Sequence, residues 1–365
     1  MKVLSVVGAR PNFMKVAPIV QTLRQEGHDA ILVHTGQHYD AKMSEVFFDQ
    51  LKMPRPDVSL NVGSGSHAVQ TARIMERFEP VVLQHEPDVV LVAGDVNSTV
   101  ACALVAVKLG VRVAHLEAGL RSGDRSMPEE INRLVTDAIS DLLLTPSADG
   151  NENLHAEGVP EEKIAFVGNA MIDTLLAHRE AAPTARVLEE NGLKAGEYGL
   201  VTLHRPSNVD NKQVVAEILL AFGEIAADTP LFFPVHPRTK KQLEGFGLSL
   251  PAGVIATEPL GYLEFLALMA NAKMVLTDSG GIQEETTALG VPCLTIRENT
   301  ERPITITEGT NTLVGTSGEK ILKEAKNVIS GQGKVGRIPE KWDGQTAPRV
   351  VAAIELMNAV PTKQK

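Results

Sequence analysis

Short runs of aliphatic and β-branched residues alternate with amphipathic, helix-like stretches along most of the chain. Because these runs are apolar at consecutive positions, they are typical of strands that are buried on both faces of a parallel sheet. The predicted strands cover residues 2–8, 30–36, 88–95, 112–118, 142–147, 199–204, 231–236, 253–258, 273–278 and 292–296. The predicted helices cover residues 14–26, 98–109, 213–227, 262–272, 281–290 and about 348–359. The pattern predicts an α/β fold made of two Rossmann-like domains with a cleft between them.

The strand–helix pattern stops and restarts around residues 168–195, where a helical stretch and a polar, glycine-containing segment lie. We therefore predict a first domain over residues 1–170, which the C-terminal helix at about 348–360 joins. The second domain is predicted over residues 171–347. Because parallel sheets bind ligands beyond the carboxyl ends of their strands, functional residues are expected where the predicted strands end.

Composition narrows the classes of partner. The chain has 365 residues and a formal net charge of −10, and only 4% of its residues are aromatic. This composition argues against binding to nucleic acid or to an anionic membrane surface. Cys102 and Cys293 each lie in an apolar run, which predicts two buried thiols in a reducing cytoplasm. No apolar window is long enough to span a membrane.

Two strand ends carry groups that suit a phosphate. Arg10 and Lys15 follow the first strand, after a single glycine at Gly8, which is too few for a dinucleotide fingerprint. The Asp278-Ser279-Gly280-Gly281 turn ends a strand and opens a helix, so its backbone N–H groups are expected to bind an anion. Glu285, one turn further along this helix, is placed to accept hydrogen bonds from a ribose diol.

Several acids follow neighbouring strands in the first half. Asp95 and Glu117 each end a strand, and the pair Glu129 and Glu130 follows in the loop after Glu117. Like-charge proximity and burial would raise the pKa of some of these acids, as general acid–base chemistry requires. The structural alternative is that Glu117 only forms an ion pair with Arg121 or Arg133.

Histidines close two strands of the second half. His204 and His236 are placed to bind phosphate or to move a proton. Gln37 and His38 follow the second strand of the first half as part of a polar wall. No cysteine–histidine cluster has zinc spacing, so no metal site is predicted.

The chain resembles the non-hydrolysing UDP-N-acetylglucosamine 2-epimerases, which have the GT-B glycosyltransferase-like fold. The resemblance covers about residues 1–357. The segments that carry it are, in order, GARPNFMKVAPI, TGQH, GDVNST, HLEAGLRSGDRSMPEEINR, TLHRPSNVD, PVHPR, LTDSGGIQEE and TERPITITEGTN.

The resemblance implies reversible C2 epimerisation of UDP-GlcNAc to UDP-ManNAc, by anti-elimination of UDP and its re-addition through 2-acetamidoglucal. It implies no metal and no other cofactor, and a cytoplasmic homodimer in polysaccharide biosynthesis. The implied catalytic residues are Asp95, Glu117, Glu129 and His204, with Glu130 as the alternative to Glu129. The implied substrate-binding residues are Arg10, Lys15, His236, Ser279, Gly280, Gly281, Glu285 and Arg302. Gln37 and His38 fit the second, allosteric UDP-GlcNAc site of some members.

Three other interpretations remain open. An epimerase of a related UDP-2-acetamido sugar would keep the chemistry and change the substrate. A GT-B glycosyltransferase would share the fold but need an acceptor. A nucleotide-sugar-binding regulator would be expected to lack the acids that this chain retains.

Overall fold

The computed structural model describes residues 1–36, 51 and 53–359, apart from the side chain of Arg10. Contacts divide the chain into two compact units. Unit 1 comprises residues 1–177 and the chain from residue 340 onwards, and unit 2 comprises residues 178–339. Each unit is built on its own parallel sheet.

Unit 1 contains, in its described part, a seven-stranded sheet in the order β3-β2-β1-β4-β5-β6-β7. Its strands are β1 (Lys2–Val7), β2 (Asp29–His34), β3 (Val58–Ser59), β4 (Val89–Ala93), β5 (Arg112–Leu116), β6 (Leu142–Thr145) and β7 (Ile164–Phe166). Its helices are α1 (Arg10–Gln25), α2 (His67–His85), α3 (Asn97–Lys108), α4 (Pro128–Ile139), α5 (Ala148–Ala156), α6 (Ala170–Arg179, which reaches the boundary) and the C-terminal α15 (Thr346–Ala359), with a 3-10 turn at Glu161–Lys163.

Unit 2 has a six-stranded sheet in the order β10-β9-β8-β11-β12-β13. Its strands are β8 (Gly199–Thr202), β9 (Leu231–Pro234), β10 (Val254–Thr257), β11 (Met274–Thr277), β12 (Cys293–Thr295) and β13 (Asn311–Leu313). Its helices are α7 (Thr184–Glu190), α8 (Pro206–Val209), α9 (Lys212–Asp228), α10 (Pro237–Phe246), α11 (Tyr262–Asn271), α12 (Gly280–Leu289), α13 (Pro303–Thr307) and α14 (Gly318–Ile329).

The central strands are buried on both faces, as the consecutive apolar positions predict. Every residue of β4 and of β11 is buried. The pairs β1–β4 and β8–β11 are parallel, so the strands of each sheet end at a common edge. The predicted α/β class with two Rossmann-like sheets is therefore confirmed.

All the predicted strands occur, and the structure adds short strands that the pattern missed. β3, β7 and β13 have two or three residues each, which is too short for a periodic pattern to show. The first helix begins at Arg10 rather than at Met14. Pro11 lies in its first turn, where a proline is tolerated because the backbone N–H there has no helical partner.

The unit boundaries differ from the predicted 170/171 and 347/348. Helix α6 contributes to unit 1, since Thr174 Oγ1 donates a hydrogen bond to the carbonyl of Met14 at 2.5 Å. The chain from residue 340 also returns to unit 1, where the indole Nε1 of Trp342 donates to the carbonyl of Pro146 at 2.9 Å. The first junction therefore lies seven residues later in the chain than predicted, and the second lies eight residues earlier.

Two smaller predictions also have an outcome. Cys102 and Cys293 are buried free thiols, as their apolar surroundings indicate. Among the residues that the structure describes, none of the helices has the length and apolar character needed to cross a membrane.

Candidate active site

In unit 1, an ion pair lies at the carboxyl edge of the sheet. Lys15 comes from the second turn of α1 and Glu117 follows β5. The Lys15 ammonium lies 2.6 Å from Glu117 Oε2, and the two side chains are 8% and 5% exposed. A buried pair of this kind is held by its own attraction, since neither charge keeps its full hydration. The structure therefore pairs Lys15 with Glu117, whereas the family resemblance implied only that Lys15 lies beside the diphosphate and the sugar of the substrate.

The backbone at this edge is unusual. Glu117 has a φ of 70°, in the left-handed region that glycine favours, and Gly94, which follows β4, has a φ of 68°. Such a conformation in a residue with a side chain costs about 1–3 kcal/mol and is most common at functional sites. A Cβ at Gly94 would lie 3.3 Å from Asn12 Nδ2 and 3.4 Å from Glu117 Oε2. The two strand-end turns are thus packed directly against each other.

Asp95 is held by a buried arginine. Its carboxylate lies 2.5 Å from Arg133 Nη2, and Asp95 keeps 29% of its side chain exposed whereas Arg133 keeps 3%. The second arm of the same guanidinium, Nη1, lies 2.6 Å from Glu130 Oε2. Asn132 Nδ2 also donates to the backbone carbonyl of Asp95 at 2.8 Å. Helix α4 therefore fixes both the side chain and the backbone of Asp95.

Glu129 and Glu130 have different surroundings, although they are neighbours in the first turn of α4. Glu130 is 2% exposed and accepts hydrogen bonds from the backbone N–H groups of Ser122 and Gly123 at 3.0 and 2.9 Å. Burial opposes its charge, but these bonds and Arg133 outweigh burial and lower the pKa of Glu130. Glu129 is partly exposed, and within the described part of the chain no bond to its carboxylate is found. Glu130 therefore holds the loop at Ser122 and Gly123 and contacts Arg133, and Glu129 has a different environment.

Two of these acids have a cation beside them, because Lys15 contacts Glu117 and Arg133 contacts Asp95. The alternative ion-pair partners of Glu117 were Arg121 and Arg133, and neither is the partner at 2.6 Å. Arg121 instead lies 2.7 Å from Asp137 Oδ2.

In unit 2, the Ser279-Gly280-Gly281 turn caps α12 and lies beside a buried acid. A Cβ at Gly280 would lie 2.7 Å from Glu301 Oε1, so only glycine leaves this carboxylate in place. Arg297 Nη2 bonds the same carboxylate at 2.8 Å. Burial opposes ionisation, but the charges of Arg302 and Arg297 outweigh it and hold the pKa of Glu301 far below its usual range. The turn predicted to bind an anion is thus bordered by an arginine–glutamate cluster.

The two acids within α12, Glu284 and Glu285, have partners of different charge. Arg302 Nε lies 2.9 Å from Glu284 Oε1, and both side chains are buried. Glu285 accepts a hydrogen bond from the hydroxyl of Tyr262 at 2.9 Å. Burial raises the pKa of Glu285 to about 7, helped by the charge of Glu284 and opposed by the bond from Tyr262. Arg302, predicted as a substrate contact, is engaged with Glu284.

The two histidines of unit 2 lie together. The rings of His204 and His236 are 5.4 Å apart. His204 Nδ1 lies 2.9 Å from Oδ1 of Asp278, which is fully buried at the end of β11. The other oxygen of Asp278 accepts from the backbone N–H groups of His204 and Arg205 at 2.9 and 2.8 Å. Asp278 therefore orients His204 and favours a proton on its Nδ1.

His236 has the opposite arrangement. Its Nδ1 accepts a hydrogen bond from the backbone N–H of Arg238 at 3.1 Å, at the start of α10. Burial lowers the pKa of His236, and the nearby charges of His204 and Arg238 add to this effect. A neutral His236 with Nδ1 as acceptor carries its proton on Nε2, so that nitrogen is a hydrogen-bond donor.

Three residues organise these groups through contacts that the sequence did not predict. Arg133, Asp278 and Tyr262 each hold a predicted site residue in place. For Asp278 a signal was available, because it ends the strand that pairs with the strand before His204. Of the remaining predictions, Arg10 begins α1, and Gln37 and His38 lie outside the described residues.

Across the described residues, just one group of three side chains is close enough together to share a metal ion. It consists of Glu26, His28 and Glu355, and both glutamates are exposed. His28 Nε2 lies 2.9 Å from Glu355 Oε1, which ties α15 to the end of α1. This group lies at the opposite end of α1 from Lys15.

Comparisons with known proteins identify the family of the chain. The chain is 44% identical over 339 residues to the UDP-N-acetylglucosamine 2-epimerase of Methanocaldococcus jannaschii, covering 90% of this chain and 93% of that protein. It is 42% identical over 335 residues to the UDP-2,3-diacetamido-2,3-dideoxy-D-glucuronate 2-epimerase of Pseudomonas aeruginosa, covering 90% and 92%. A crystal structure of the M. jannaschii UDP-GlcNAc 2-epimerase with UDP-GlcNAc and UDP matches with a TM-score of 0.89 and 43% identity, over 98% of this chain and 100% of that one. The family model for UDP-N-acetylglucosamine 2-epimerase matches residues 21–355, and the chain belongs to that family.

Proposed function

We propose that this protein interconverts UDP-N-acetylglucosamine and UDP-N-acetylmannosamine at C2. In the first step the C2 proton passes to a base and the C1–O bond breaks, so that UDP leaves with the bonding pair and 2-acetamidoglucal forms. In the second step UDP adds back to C1 and a proton is delivered to the other face of C2. Atoms and charge balance without an oxidant or a reductant.

The observation that carries this proposal is the buried Lys15–Glu117 pair on strained backbone. Glu117 is the base for C2. A carboxylate next to an ammonium is a weak base, and the C2 proton is not adjacent to a carbonyl. Proton transfer therefore has to accompany or follow C1–O cleavage, when positive charge on the sugar has made the C2 proton acidic.

Asp95 and Glu129 supply the remaining negative charge. Asp95 is held by Arg133 with part of its carboxylate exposed, so it is placed to stabilise positive charge that develops on the sugar. Glu129, unlike Glu130, is not committed to holding the loop at Ser122. We assign Glu129 to proton delivery on the second face of C2.

Unit 2 binds the nucleotide in this proposal. The backbone N–H groups of the Ser279-Gly280-Gly281 turn, at the start of α12, stabilise the departing diphosphate. His204, oriented by Asp278, and His236, with its Nε2 proton, add hydrogen-bond donors. Glu285 accepts from the ribose diol, which favours its charged form over the neutral form of the free protein.

A second substrate has specific support. The P. aeruginosa relative, at 42% identity, is named as the epimerase of a UDP-linked diacetamido uronic acid. Its C2 chemistry is the same, but its sugar carries an additional acetamido group and a carboxylate. The two substrates are distinguished by kcat/KM, because the enzyme discriminates through differential binding of the transition states.

The test is proton NMR of the purified protein with UDP-GlcNAc in D₂O. We expect UDP-ManNAc to appear without any acceptor, with deuterium at C2 in both sugars. A second sample holds the UDP-linked diacetamido uronic acid, and the preferred substrate exchanges faster. Product formation only when an acceptor is added would indicate a glycosyltransferase, and the absence of C2 exchange in both samples would reject the proposal.

A homodimer is part of the same proposal. The mass of one chain is 39.2 kDa, and light scattering of the purified protein should give twice that mass. The mass of a single chain would reject the homodimer and leave the rest of the proposal in place.

A further inference from the structure

A fully buried histidine lies beneath the strand ends that carry Asp95 and Glu117. His115 is in β5 and has no exposed surface. Its Nε2 lies 2.9 Å from the carbonyl oxygen of Gly94. Its Nδ1 lies 2.6 Å from Asp137 Oδ1, which comes from α4. Both ring nitrogens are therefore within hydrogen-bond distance of an oxygen.

The partners of His115 determine where its protons are. A backbone carbonyl only accepts hydrogen bonds, so Nε2 has to donate to Gly94. The other oxygen of Asp137 accepts from the backbone N–H of Gly119 at 3.1 Å and lies 2.7 Å from Arg121 Nη1. Arg121, which is always charged, and the N–H of Gly119 hold the Asp137 carboxyl in its ionised form independently of the state of His115. An ionised Asp137 cannot donate, so Nδ1 of His115 donates as well.

The hydrogen bond that His115 donates helps to hold the turn after β4 in place. The N–H of Gly94 bonds the carbonyl of Leu116 at 3.0 Å, and the carbonyl of Gly94 accepts from His115. Both backbone groups of Gly94 are thus held by β5. Gly94 packs against the Glu117 carboxylate and directly precedes Asp95.

We propose that His115 is a positioning residue, held doubly protonated by Asp137, which locks the turn on which Asp95 and Glu117 are placed. Neither His115 nor Asp137 touches the substrate in this scheme. Their effect on turnover rests on the proposed function, whereas the protonation of His115 in the free protein does not.

The charge network continues to the surface, which supplies a matched control. Arg121 Nε and Nη2 bond both oxygens of Glu157 at 2.8 and 2.7 Å, and Glu157 has 40% of its side chain exposed. Glu157→Gln alters the same network at its hydrated end and leaves Asp137 in contact with both of its cations. Asp137→Asn removes the counter-ion of His115 itself.

The first experiment is ¹⁵N NMR of the full protein with labelled histidine at neutral pH. The two ring nitrogens of His115 should have similar shifts and should both carry protons, as in an imidazolium ion. Asp137→Asn should separate the two shifts, as in a neutral ring, and Glu157→Gln should leave them unchanged. The His115 signals are assigned by their absence from His115→Gln, or by their response to Asp137→Asn if that protein does not fold. Widely separated shifts in the unaltered protein would overturn the proposal.

The second experiment measures turnover. Asp137→Asn should lower kcat for C2 exchange by about 10²-fold, the loss expected when a catalytic group moves by about 1 Å. KM and UDP affinity should change little, and Glu157→Gln should match the unaltered protein. Unchanged kcat in a folded Asp137→Asn protein would overturn the positioning role. If the unaltered protein shows no C2 exchange, the proposed function fails, and the spectra alone decide the state of His115.

Discussion

The Lys15–Glu117 pair allows a catalytic base to be separated from a structural counter-ion. The two side chains are 2.6 Å apart and more than nine-tenths buried. Removing one member of such a pair leaves a buried charge uncompensated, which costs about 3–5 kcal/mol. Glu117→Gln keeps an acceptor for Lys15, so we expect a loss near the lower end, about 3 kcal/mol. Glu117→Gln should also abolish C2 exchange and leave UDP affinity unchanged.

The double variant Lys15→Met/Glu117→Gln decides between the two roles. Both buried charges are then gone, so the double variant should be more stable than either single variant. Stability can be followed in unit 1 itself, because Trp342 is the one tryptophan of the chain and is buried there. Urea unfolding monitored by its fluorescence gives the four corners of a double-mutant cycle.

The outcome for activity should be the opposite of that for stability. We expect no C2 exchange in the double variant, because its stability recovers while position 117 still lacks a base. If the double variant instead exchanges C2 at the rate of the unaltered protein, Glu117 is only the counter-ion of Lys15. The assignment of the base would then be wrong.

Three further predictions follow from the described contacts. Gly280→Ala should weaken UDP binding by about tenfold in calorimetry, because its Cβ would displace the neighbouring glutamate, whereas Gly245→Ala, with open space around it, should not. Because the pKa of Glu285 is about 7 in the free protein, UDP binding should release a proton below that pH, and affinity should rise as the pH increases towards 7 and then level off. Glu130→Gln should lower the urea midpoint of unit 1, because it removes the negative charge from the group that accepts two backbone N–H bonds. Glu129→Gln should lower C2 exchange and leave the midpoint unchanged.

Each of these has a clear contrary result. Equal UDP affinity for the Gly280 and Gly245 variants would remove the turn from the nucleotide site. Persistence of the pH dependence in Glu285→Gln would show that another group releases the proton. A stable Glu130→Gln protein without C2 exchange would transfer the chemical role from Glu129 to Glu130.

The sequence predicted which residues stand at strand ends, but not which of them pair. Strand ends follow from local apolar runs, and parallel strands bring those ends to one edge. Lys15 and Glu117 are separated by 102 positions, and their contact depends on how α1 packs over β1, β2 and β4, beside the strand that Glu117 follows. In the same way, Arg133 reaches Asp95 only because α4 begins at Pro128, a helix that the apolar pattern did not reveal.

The short strands, and the buried residues that hold the site residues in place, could not be predicted for a related reason. β7 and β13 contain three residues each, so tertiary pairing rather than local pattern defines them. Tyr262 was expected only as part of an amphipathic helix, yet its hydroxyl bonds Glu285 from another helix. Contacts of this kind depend on where the helices pack, and the spacing of apolar residues along the sequence does not predict that.

The return of the chain to unit 1 has a consequence for how the protein is made. Helix α15 buries Val350, Val351 and Ile354 in a unit whose other strands and helices are synthesised before residue 180. Domains generally fold in the order in which they leave the ribosome. Here the whole of unit 2 emerges before the last helix of unit 1, so the unit that is begun first is completed last. During that interval the surface that α15 will cover stays open to water, and a chaperone that binds apolar surfaces would find its target there.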